Sequence, residues 1–120
     1  MLDIKSMSAE EVLNLKDSYV ERLDQLDKMI EAYLTERDPK SGEKIKEEYT
    51  KLKKEITQEA KNLKREKNEL LAISQEHNGY VSGIMEASAC GFKAKSDSPI
   101  NLNMLFSVKE ARYRINKFFE

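Results

Sequence analysis

The chain has 120 residues, 36% of them charged, with four glycines, two prolines, one cysteine and a formal net charge of −1. That length supports one modest core, and a composition rich in charge and poor in turn residues favours long solvated helices over a sheet. Near-neutral charge, a lone cysteine and the lack of any long apolar run argue against a concentrated phosphate-binding face, an internal disulfide and a membrane span respectively. The opening "MLDIKSMSAEEV" has neither the basic start nor the apolar stretch of a secretory leader. A soluble, cytoplasmic protein is expected, in keeping with the reducing compartment that a single cysteine fits.

Ser8 followed three residues later by Glu11 is a capping box and marks the start of helix one. Val12, Tyr19, Leu26 and Tyr33 recur every seven residues, with Leu23 and Ile30 between them. Leu13, Leu15, Val20, Met29 and Leu34 flank this seam on both sides, which makes the apolar arc wider than a two-stranded coiled coil needs and predicts several neighbours. Asp38-Pro39 predicts the end of the helix, and Ser41 with Gly42 completes a turn of the length that joins antiparallel helices.

Helix two is expected to carry Ile45, Tyr49, Leu52, Ile56, Leu63, Leu70 and Ile73 on one face, flanked by Glu48, Glu55 and Glu69 on one side and Lys46, Lys53 and Lys67 on the other. Glu59 and Glu66 fall within the apolar seam and need a compensating partner. Folding the chain about Lys40 sets Lys16 between them, which favours an intramolecular hairpin over a parallel dimer. The end of helix two then projects past helix one, so Leu70, Leu71 and Ile73 need cover from the C-terminal third.

Asn78-Gly79 reads as a helix stop. The stretch "YVSGIMEASACGF" that follows places Val81, Ile84, Met85 and Ala89 three or four apart, a short helix ending at Gly91. Gly83, Ala87 and Ser88 would let another backbone approach closely, and the whole stretch is read as a joint that folds the chain back onto the hairpin. Between Phe92 and Phe106, alternating apolar and polar residues fit a short β-hairpin or, in the second run, a helical turn. Ser107 and Glu110 form a second capping box before a last amphipathic helix bearing Val108, Ala111, Ile115, Phe118 and Phe119. The fold expected is therefore mainly α: one domain over 1–120, a long coiled-coil-like antiparallel hairpin (8–37 and 43–77) with a small cap over 79–120.

Chemistry-bearing motifs are sparse. Cys90 with His77 as its base would be the only thiol nucleophile, but a cysteine between Ala89 and Gly91 reads more simply as a small buried apolar residue. With one histidine and no cysteine pair, a zinc site would have to be built mostly from carboxylates, and the adjacent Glu10-Glu11 and Glu47-Glu48 read as solubilising pairs. Neither glycine-rich phosphate loop occurs. No catalytic residue, metal or cofactor is expected, and an enzyme is the third-ranked class.

The first-ranked class is a non-enzymatic protein-interaction module, an adaptor, chaperone-like protein or inhibitor, that binds another protein through helical apolar surfaces. Its contact residues are expected to be Leu13, Val20 and Leu34 on the outer arc of helix one and Leu70, Leu71 and Ile73 at the distal end, with a homodimer formed through the wide face of helix one. In outline such a hairpin resembles secretion chaperones and assembly adaptors, a likeness of shape that does not establish function. The alternative is a nucleic-acid-binding hairpin using Lys61, Lys64, Arg65, Arg112 and Arg114. Replacing Val20 and Leu34 by glutamate separates surface from core: association is lost with helicity retained if they face outward, whereas circular dichroism shows unfolding if they are buried.

Overall fold

Glu11 N–H donates to Ser8 Oγ at 3.1 Å and Ser8 N–H donates to Glu11 Oε1 at 3.1 Å, so the first capping box forms as written in the sequence. It opens the first of four α-helices in the computed structural model, which describes residues 3–36 and 39–119. These are α1 (Ala9–Glu36), α2 (Pro39–Leu71), α3 (Gln75–Cys90) and α4 (Leu102–Asn116), preceded by a 3-10 turn at Ile4–Ser6 and followed by another at Lys117–Phe119. Among the described residues there is no strand, and the protein is mainly α.

The hairpin of α1 and α2 is antiparallel, clamped by Arg22, whose guanidinium donates to both carboxylate oxygens of Glu55 at 3.1 and 2.5 Å. That two-pronged bond holds the Glu55 carboxyl below the usual range. Val12, Leu23, Leu26 and Ile30 from α1 and Ile45, Tyr49, Leu52, Ile56, Leu63 and Leu70 from α2 are almost fully buried on the seam that the heptad spacing marks, whereas Tyr19 and Tyr33 are half-buried and Ile73, expected on the same face, lies beyond the end of α2 and is exposed. The wide arc of α1 meets α2, α3 and α4 in turn. Fixing α2 as one unbroken rod of 33 residues sets the molecule's length, 47 Å against 22 and 21 Å across.

Helix two differs from expectation at both ends. It begins at Pro39 and takes Ser41 and Gly42 into its first turn, because a proline at the first helical position lacks only an amide that would be unpaired anyway. Arg37 and Asp38, at the expected end of helix one, lie outside the described residues. At its far end α2 stops at Leu71 rather than His77. Ser74 is extended and its Oγ accepts the His77 amide at 3.1 Å, making it the N-cap of a new helix. His77 and Asn78-Gly79 therefore lie inside α3, and the expected helix stop does not occur there.

α3 runs back along α2, and α4 runs back along α3 and α1, giving an up-down-up-down arrangement. The stretch read as a joint is the body of α3. Gly79, Gly83, Ala87 and the C-cap Gly91 recur every fourth residue; the main chain of α4 lies directly against Gly83 and Gly91, and Phe118 and Phe119 of the following turn lie against Gly79. A β-carbon on Gly83 would stand 2.8 Å from the Ile115 carbonyl oxygen and 3.0 Å from its Cα, and one on Gly91 would stand 2.8 Å from the Ala111 Cα.

Placing α3 and α4 against the hairpin also overturns the expected pairing of Lys16 with Glu59 and Glu66. Tyr80, fully buried on α3, donates its hydroxyl to Glu59 Oε2 at 2.6 Å. Burial first, and then the Glu59 charge, push the Tyr19 hydroxyl up to about 12. Lys16 instead sits 2.6 Å from Asp17 Oδ1, 3.4 Å from Asn116 Oδ1 and 4.6 Å above the Phe119 ring. Glu66 pairs with Lys5 at 3.5 Å.

Cover for the distal end of α2 comes partly from the N-terminus, which the sequence reading left without a role. Ile4 is buried, Lys5 also reaches Glu69 at 2.5 Å, and His77 Nε2 bonds the Ile4 carbonyl at 3.2 Å. Replacing Gly83 by alanine is expected to destabilise the fold by about 1–3 kcal/mol, because the clash is with backbone that has no rotamer to relieve it. The loss should appear as a lower urea midpoint for Gly83→Ala than for the neighbouring Ser82→Ala, and equal midpoints would show that the two helices stand further apart.

Candidate functional site

α4 starts at Asn101 rather than at Ser107. The Asn101 side-chain oxygen accepts the amides of Asn103 at 3.0 Å and Met104 at 3.3 Å, an N-cap that captures two donors. That extra turn and a half replaces the second strand of the expected β-hairpin. Ser107 is interior to the helix, where its hydroxyl donates back to the Asn103 carbonyl at 2.9 Å.

With the register set, Met104, Leu105, Val108, Ala111 and Ile115 turn inward and are buried. At about 100° per residue, Leu102, Phe106 and Tyr113 then lie along the opposite side, 57%, 57% and 56% exposed. They form one line roughly 16 Å long at 1.5 Å per residue.

The cations of α4 are tied to the rest of the bundle. Arg112 Nη1 lies 3.0 Å from Asp24 and 2.7 Å from Asp27, and Lys109 lies 3.1 Å from Asp27 and 3.2 Å from Glu31. Bonding to Asp27 and Glu31 holds the Lys109 ammonium above its ordinary range. Arg114 bonds Glu86 and Glu110 at 2.7 Å each, and Lys117 reaches Glu86 at 3.0 Å. Desolvation would raise the Glu86 carboxyl, but the bonds from Arg114 and Lys117 outweigh it and leave the group below its usual range.

Between α3 and α4 the chain crosses through residues 91 to 101. Phe92 has a left-handed backbone, φ 53°, which a bulky residue adopts only at a cost of about 1–3 kcal/mol. Its buried ring meets Tyr49 edge-on at 5.6 Å. Two residues on, the Ala94 carbonyl accepts from Tyr49 Oη at 2.6 Å and Lys53 Nζ at 3.3 Å, and the Ala94 amide donates to Ser107 Oγ at 2.9 Å. Burial pushes the Tyr49 hydroxyl up, which keeps it a donor. The segment so anchored stands over the start of α4 and leaves a cavity of about 760 Å³, walled by Cys90, Lys93, Lys95, Asn103, Phe106 and Arg114 among others.

The residues singled out in the sequence are dispersed. Cys90 is half-buried at one end of α3 and His77 lies near the other, thirteen residues or roughly 20 Å away along the axis. His77 has both ring nitrogens occupied, Nδ1 by Ser74 Oγ at 2.6 Å and Nε2 by the Ile4 carbonyl. The structure does not bring the two together. Among the described residues no group of three or more His, Cys, Asp or Glu is placed to hold a metal ion, and no helix is long and apolar enough to cross a membrane.

Of the expected partner contacts, Leu70 is in the core, Val20, Leu34 and Leu71 lie half-buried against it, Leu13 is half-buried and Ile73 is 46% exposed. Unfolding is thus the expected outcome for the Val20 and Leu34 glutamate pair. Lys61, Lys64 and Arg65 are exposed on α2, whereas Arg112 and Arg114 are bound to carboxylates. The line of Leu102, Phe106 and Tyr113 escaped sequence reading because Ile100, Leu102 and Met104 alternate like a strand, which hid the helical spacing of four and seven. No protein-family model, no curated protein and no solved structure matches this chain.

Removing the Ser107 hydroxyl would leave the half-buried Ala94 amide without its acceptor, at about 0.5–1.5 kcal/mol for one hydrogen bond. Ser107→Ala is expected to speed hydrogen exchange at Ala94 while α1 and α2 keep their protection; unchanged exchange would show that the bond does not hold the segment.

Proposed function

We propose that this chain is a non-enzymatic protein-interaction module, of the adaptor, chaperone-like or inhibitor kind, that holds a partner protein against the outer face of α4. The observation that carries the reading is the alignment of Leu102, Phe106 and Tyr113, each more than half exposed, on one side of one helix. Scattered exposed apolar residues are ordinary, but a row of three large ones is the form an interface takes. Two of the three are aromatic, the type that anchors contacts at low entropic cost.

The occupant that fits is an amphipathic helix of the partner, laid along a stripe of that length. Its end beside the start of α4 would be acidic, because Lys93 and Lys95 are exposed at the upper end of the stripe and have no ion pair among the described residues. A rigid bundle supports this use, since α4 is fixed on two sides by α1 and α3 and little order has to be acquired on binding. Action in the cytoplasm belongs to the same reading, and a second copy of the chain is an alternative occupant that the experiment identifies.

The test is a tagged pull-down from source-cell lysate, with and without nuclease, comparing the natural chain with a Phe106→Asp, Tyr113→Asp variant whose folding is checked by circular dichroism. A stoichiometric protein held by the natural chain through nuclease treatment, and lost from the variant, is expected. Equal capture by the variant removes α4 as the docking face, and capture that nuclease abolishes transfers the function to the lysines of α2.

A further inference from the structure

The cavity of about 760 Å³ at the upper end of the α4 stripe is distinguished by its unmatched charge. Arg114 on its wall is saturated by Glu86 and Glu110, as are the remaining cations of α4 by carboxylates of α1 and α3. Lys93 and Lys95 are different: both are exposed, and neither has an ion pair among the described residues. They lie two residues apart on a non-helical segment. Ala94 between them is bonded on both sides, by its carbonyl to Tyr49 and Lys53 and by its amide to Ser107.

The backbone that carries the two lysines is therefore held at the rim of a preformed hollow. Phe106 belongs both to the wall of that hollow and to the exposed stripe, so the apolar surface runs without interruption from α4 into the cavity.

We infer that this cavity receives an acidic segment of the partner protein, with one aliphatic or aromatic side chain seated beside Phe106 and carboxylates paired with Lys93 and Lys95. The inference rests on the reading of α4 as a docking face and adds to it the chemistry of the partner. A free inorganic anion would not use the apolar wall, and a nucleic-acid strand would need more unpaired cations than two to hold its phosphates. An acidic peptide bearing one apolar anchor uses both features of the hollow. Pre-fixing the segment at Ala94 lowers the ordering cost of such binding.

The test uses the full chain and two fluorescein-labelled libraries of about ten residues, one with Glu and Asp around a single Leu or Phe, the other with Gln and Asn in their place. Anisotropy titrations should show the acidic library binding and the amide library about fivefold to tenfold weaker, the scale of two exposed ion pairs. Added salt should narrow that gap. Lys93→Gln with Lys95→Gln should reproduce the loss on the acidic library only. The same pair should weaken capture of the lysate partner.

Equal affinity for both libraries, no binding of either, or tighter binding of a single-stranded oligonucleotide than of the acidic peptides overturns the inference. The two proposals fail separately. Partner capture lost in Tyr113→Asp, which lies outside the cavity, but unchanged in the double glutamine variant, would leave the α4 face standing and remove the acidic-segment site.

Discussion

The closeness of α3 and α4 is the constraint on which the rest of this structure depends. Helices with ordinary side chains at their contact stand about 8–10 Å apart, and only residues without bulk at the crossing allow less. Gly83 on α3 and Gly91 at its C-cap supply that, meeting Ile115 and Ala111 of α4 respectively. Because the Ile115 main chain rests almost on Gly83, α4 has one rotational setting about its own axis. Val108, Ala111 and Ile115 must face inward, and Leu102, Phe106 and Tyr113 must face out.

The same setting brings the cations of α4 to the carboxylates of α1. Asp27 is 4% exposed, and a carboxylate that deep is tolerable only with partners, which Lys109 and Arg112 provide at 3.1 and 2.7 Å. Exposed pairs such as Lys28 with Asp24 contribute little by comparison. Helix approach and charge matching thus reinforce one another: the glycines fix the position of α4, and Asp27 penalises any other register. The basic residues of α4 are a structural seam for this reason, whereas Lys93 and Lys95, off the helix and on the wall of the cavity, have no ion pair among the described residues.

The upper end of the bundle is where order was built at a cost. A phenylalanine in the left-handed region is unfavourable by itself, yet its ring is enclosed against Tyr49 and the next residues are bonded to α2 and α4. What that rigidity produces is a hollow beside an exposed aromatic row, with Lys93 and Lys95 on its wall. Cys90, the only thiol, shares the wall with Arg114 and has no histidine near it.

The sequence by itself determined that the protein is mainly α, where α1 begins, and which residues of α1 and α2 form the buried seam. Those features follow from local rules: a capping box satisfies its own amides, and a repeat of three and four can bury only one face. Ser74 was legible as an N-cap in principle, but Leu70, Leu71 and Ile73 continue the apolar spacing across the break, and periodicity masked it. Only the tertiary structure decided that the glycine stretch is a helix contact rather than a joint, that Lys16 and Glu59 have different partners, and that the exposed face belongs to α4. Each of those depends on what stands opposite a residue in space. The position of α4, set by the close approach of its main chain to Gly83 and Gly91, carries no periodic mark along the chain.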